Sequence, residues 1–155
     1  MIKKDEFTLT KMSINYKKDI YRIHYEYPIS YIDDEYHYRK EQPESDIRPH
    51  NDLMSQFDCL SPMVIESLSL PKDSRIKVKE IKLVGSEDTE GIKIKAHYGT
   101  KNNQETTLDV PVIYFVATEK GTGQKAEEIF KNIESECYEY LFNQKKENTE
   151  LPFDD

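Results

Sequence analysis

The chain has no tryptophan, only two cysteines and no excess of basic over acidic residues in its 155 positions, and each shortage excludes something. Cys59 and Cys137, with no C-x-x-C pair, exclude a disulfide-built scaffold and a thiolate zinc centre. Both lie in apolar helical patterns, so a reduced, buried thiol is expected at each. No run of about 18 apolar residues occurs, and the opening MIKKDEFTLT has no apolar signal core, so neither membrane insertion nor secretion is expected. With 22 Lys and Arg against 30 Asp and Glu, the formal charge is −8, which argues against a protein that coats nucleic acid through overall basicity. The length fits one domain. Its core is modest, since hydrophobic residues make up 36% and charged residues 34%, and 11 Tyr and 6 Phe must supply much of the burial.

Periodicity orders the chain. Tyr21, Ile23, Tyr25, Tyr27, Ile29 and Tyr31 recur at every second position, the mark of a half-buried strand. Upstream, Phe7 and Leu9 share one phase while Met12, Ile14 and Tyr16 share the other, which predicts a strand with a bulge near Lys11. The short YKKD link makes a hairpin of the two. Residues 33–48 are acidic, contain Pro43, and read as a surface loop, with a strand extension as the alternative. Pro49 suits the first turn of a helix carrying Leu53, Phe57 and Leu60, Pro62 kinks or restarts it, and Ser61 is the expected cap of the second piece. Three strands follow as a meander, RIKVKEIKLV, GIKIKAHY and TTLDVPVIYFV, turning through SEDTEG and GTKNNQ. Ala126, Phe130, Ile133, Cys137, Tyr140 and Leu141 then mark an amphipathic helix over about 123–143. The expected fold is α+β in the order β-β-α-β-β-β-α, an antiparallel sheet of about five strands with two helices on one face. A single domain over 1–143 is followed by a polar tail, 144–155, tipped LPFDD.

Chemistry is sparse. No G-x-S-x-G, H-E-x-x-H or Walker motif is present. His50 and Asp52 form only an H-x-D fragment at a helix start, where capping accounts for both, so no catalytic residue, metal or cofactor is expected. Residues 75–101 carry 7 basic and 4 acidic side chains, a basic middle between acidic segments. Within it Lys77 and Lys79, and Lys93, Lys95 and His97, alternate with apolar residues and share one strand face, a ribbon suited to a phosphate backbone. Solvated lysines on an ordinary sheet surface are the plainer reading. The tyrosines Tyr21, Tyr25, Tyr27 and Tyr31 read as core, with a base-stacking platform as the alternative if they are exposed. Gly121, Thr122, Gly123 and Lys125 form a glycine-containing turn into the last helix that offers backbone N–H groups to an anion or nucleotide. Leu151, Pro152 and Phe153, apolar within a polar terminus, have the character of a linear docking motif.

The stretches IRPHNDLMSQFDCLSPMVIE, RIKVKEIKLV and GIKIKAHY, with the acidic last helix, resemble a group of small bacteriophage- and prophage-encoded proteins of no assigned activity. The resemblance spans roughly residues 47–155 and rests on structural motifs: a Pro-His-x-Asp helix start, a Gly-Ile strand and a glutamate-rich final helix. It implies a phage accessory protein in the host cytoplasm. The combined expectation is a non-enzymatic binding protein that contacts nucleic acid, or a host replication or defence protein through its tail. The rivals are a nucleotide-binding or nucleotide-hydrolysing counter-defence protein and an acidic DNA mimic.

Overall fold

In Thr8–Asn15 (β1) and Ile20–Ile32 (β2) alternate side chains are apolar, so an extended chain buries one side and leaves the other in water. The two pair antiparallel, from Thr8 opposite Glu26 to Asn15 opposite Ile20. Their register slips between Leu9 and Lys11, as the two apolar phases of β1 require, and the slip buries Leu9 and Met12 alike. A computed structural model describes residues 2–99 and 105–147 of the chain.

β2 outruns the core. At its end Asp33 and Asp34 both take positive φ, 54° and 63°, the mirror-image turn whose twist matches a β-hairpin. The chain returns as Glu35–Glu41 (β3), and Glu44–Ser45 (β4) rejoins the same side of β2. Thus the acidic stretch is mostly strand instead of loop. Its periodicity is muted because no helix covers this ribbon, so only Tyr36 and Tyr38 carry an apolar alternation.

His50 caps the next element, Asn51–Cys59 (α1), its Nδ1 accepting from the Asp52 amide at 3.1 Å. Pro49 lies outside that helix, bridged to Lys146, and not in its first turn. Pro62 restarts the helix as Ser61–Ser67 (α2). Leu60 holds the cap position there, and Ser61 spends its hydroxyl on the Ile76 carbonyl instead.

Arg75–Val84 (β5), Gly91–Gly99 (β6) and Glu105–Tyr114 (β7) pair consecutively, as the meander predicts. β5 also pairs with β1, so the sheet runs β3-β2-β1-β5-β6-β7 with β4 beside β2, seven antiparallel strands among the described residues where about five were expected. The architecture is α+β. Thr122–Phe142 (α3) packs against α1 and against β1, β6 and β7.

The helices α1, α2 and α3 cover the sheet face that carries Leu9, Met12, Ile23, Ile81 and Ile94, and Phe57, Phe130 and Ile133 fill the layer between. Each such side chain contributes about 1.5–3 kcal/mol by leaving water. Cys137 is buried there, whereas Cys59 is exposed, contrary to the expectation for both. Residues 145–147 fold back: Lys145 Nζ lies 2.7 Å from Asp52 and 3.0 Å from Glu136, and the Glu147 amide donates to the Arg48 carbonyl. Among the described residues no helix is long and apolar enough to cross a membrane.

Candidate polyanion-binding face

The face turned away from the helices is a cross-strand array whose rows follow from the register. One row runs His24, Lys11, Lys82, Lys93 across β2, β1, β5 and β6. Three lysines are therefore direct neighbours on adjacent strands, an arrangement that costs stability because like charges opposite one another repel. Among the described residues neither Lys82 nor Lys93 has a carboxylate in ion-pair reach; Lys11 has Glu80 at 3.4 Å. The next row is mixed: Arg22, Ser13, Glu80, Lys95 and Asp109, with Glu80 4.0 Å from Lys95. A third row sets Lys77 opposite His97 and His97 opposite Thr107.

The predicted ribbon of Lys77, Lys79, Lys93, Lys95 and His97 is thus brought to one face, with one change and two additions. Between Val78 and Glu80 the register slips, so Lys79 and Glu80 together oppose Lys95, and a carboxylate enters the cation row. The same slip carries Lys82 onto this face beside Lys93. Lys11 joins it from β1. The sequence signal for Lys82 was present, since Ile76 and Val78 share one phase while Ile81 and Leu83 share the other.

Two depressions lie along this surface. One, of about 470 Å³, is lined by Lys11, Lys82, Lys93 and Lys95 with Glu80 and Asp109. The other, of about 1070 Å³, opens where β1 and β5 part beyond Ser13, and is lined by Lys17, Lys18, Arg22, Arg75, Lys77 and Lys79 against Glu44, Asp58 and Glu80. Tyr16 spans the gap: its hydroxyl donates to the Val78 carbonyl at 2.6 Å, and Lys77 Nζ stands 4.0 Å over its ring. Burial, then the nearby Asp58 charge, pushes the Tyr16 phenol well above its ordinary range. Burial, with Lys11 and Arg22 close by, pulls His24 down and keeps its imidazole neutral at pH 7.

The tyrosines divide. Tyr21 and Tyr25 are buried on the helix side, as core. Tyr31 is 59% exposed and meets Tyr36 (61%) and Tyr38 (52%) in a chain of rings with centroids 4.7 and 6.3 Å apart. Tyr38 pairs with Pro28, which shares the phase of His24 and Glu26, and the register slip between Pro28 and Ser30 brings Tyr31 opposite Tyr36, so the three rings stand on the uncovered face. Lys40 follows Tyr38 on that face, opposite Glu26.

The turn before α3 is organised from within. Gly121 takes φ 72°, its amide donates to the Thr118 carbonyl, and the Thr122 amide donates to Thr118 Oγ1. Gly123 is required by contact, since a Cβ there would strike the Val116 and Tyr114 carbonyl oxygens. Lys125 is exposed, and its amide donates to the Gly121 carbonyl. His50 and Asp52 are engaged in capping α1 and in the Lys145 ion pair. Leu151, Pro152 and Phe153 lie outside the described residues. No family model matches the chain, and neither a curated protein nor a solved structure is significantly similar to it.

Proposed function

We propose that this chain is a non-enzymatic binding protein of phage or prophage origin whose uncovered sheet face takes single-stranded nucleic acid. The observation that carries the reading is the row Lys11, Lys82, Lys93, with the exposed rings of Tyr31, Tyr36 and Tyr38 on the same face. Lysines set opposite one another on adjacent strands lower the stability of an empty sheet, and a polyanion lying across them removes the repulsion. Exposed aromatic rings on the same face as a cationic row offer stacking partners to unstacked bases, and each base–ring stack is worth about 1–3 kcal/mol. A single strand fits better than a duplex because stacking requires splayed bases.

The nucleotide reading of the Gly121 turn has less support, since Thr118 already accepts from two of the amides an anion would use. The test is fluorescence anisotropy with labelled single-stranded and duplex oligonucleotides. The wild type is expected to favour the single strand, Lys82→Glu with Lys93→Glu to weaken both, and Tyr36→Ala with Tyr38→Ala to weaken the single strand alone. Equal affinity of wild type and the lysine variant would contradict the reading.

A further inference from the structure

The two edges of the sheet are treated differently. At one, β7 carries Pro111 in a register slip opposite β6, which removes an amide and breaks the run of groups a new strand would need. At the other, β3 runs from Glu35 to Glu41 without a proline, with six of its seven residues exposed and no strand on its outer side among the described residues. An edge of this kind is a template for another strand, and natural sheets blunt it with charge of one sign or a bulge. Here the charges are of both signs, and Glu35 and Arg39 stand two residues to either side of His37.

We infer that β3 pairs antiparallel with β3 of a second copy of this chain, centred on His37, to make one continuous sheet across a two-fold axis. Only pairings of residues of equal parity join two sheets with the same face up, because side chains alternate along a strand. Centring on His37 sets Glu35 opposite Arg39 of the second copy, twice by symmetry, and brings Tyr36 beside Tyr38 on the uncovered face. Moving the centre one residue to Tyr38 opposes Glu35 to Glu41 and His37 to Arg39; moving it to Arg39 opposes two guanidinium groups. The complementarity is specific to one register, which is how opposed charges select a pairing. Arg39 holds Glu41 of its own strand at 2.7 Å in the separate chain, an exposed pair that is cheap to exchange. The two-fold axis is normal to the sheet, so both lysine rows face the same side.

Sedimentation of the full chain across a concentration series tests this, and its outcome is independent of nucleic-acid binding. The wild type is expected to dimerise, Arg39→Glu to sediment as a monomer, and Glu35→Arg with Arg39→Glu to dimerise again. Both positions are exposed ribbon surface, and circular dichroism checks that each variant is folded. A monomeric wild type, a dimer unaffected by Arg39→Glu, or a double exchange that fails to restore the dimer would overturn the inference.

Discussion

Tyr16 does two jobs at once: its ring carries the Lys77 ammonium and its hydroxyl ties the β1–β2 turn to β5. Tyr16→Phe is expected to cost about 1 kcal/mol, the net worth of one hydrogen bond, in urea titrations. The phenol is raised in the folded state, so its contribution is complete below the ordinary value near 10.0 and is lost as pH climbs through the folded value. Alkaline unfolding should therefore shift in Tyr16→Phe. Carboxylates behave in the opposite sense. A bond from Lys145 holds Asp52 below its ordinary 3.8, and bonds from Lys4 and Asn143 hold Glu139 below 4.5. Burial lowers Lys145, but its bonds to Asp52 and Glu136 outweigh that and raise it. Stability from both carboxylates is present above those ordinary values and drains away as pH falls through the folded ones. Melting temperatures followed from pH 5 down to pH 2 should show a smaller acid loss in Asp52→Asn than in the wild type. Gly123→Ala should cost about 1–3 kcal/mol, since helix and strand must separate to admit the methyl group.

At the scale of elements, the lysine row makes an unusual prediction. Lys93→Glu puts a carboxylate opposite Lys82, so it should stabilise the sheet by about 0.2–1 kcal/mol while weakening polyanion binding. Thermal melts and anisotropy on the same variant check the pair of effects; a destabilised variant that binds normally would contradict them. The meander and α3 were legible because their apolar periods are long, and the β1 bulge was legible in the phase change from Leu9 to Met12. The bulge at Lys79 and Glu80 has the same signature in Ile76, Val78, Ile81 and Leu83, but the alternating lysines drew the ribbon straight through it. β3 was legible only as the alternative to a loop, for another reason. A ribbon that extends past the helices buries little, so periodicity, which reports burial, fades along it. The split among the tyrosines follows from the register slip between Pro28 and Ser30, which turns Tyr31 to the face opposite Tyr21 and Tyr25.

For the molecule as a whole, the charge of −8 and the cationic face are compatible because the charge is segregated. The acidic excess lies in the final helix and tail and in the β2–β3 ribbon, while the central strands are basic. Segregation of this kind orients an approaching polyanion and makes its capture sensitive to salt. The central claim is that the uncovered face binds single-stranded nucleic acid through its lysine row. The most direct measurement is the slope of log affinity against log salt for a single-stranded oligonucleotide. Each phosphate neutralised contributes a slope of about −0.7, so Lys82→Glu with Lys93→Glu should make the slope shallower by about 1.4 and reduce affinity at every salt concentration. An unchanged slope in that variant, or no salt-dependent binding by the wild type, would contradict the account.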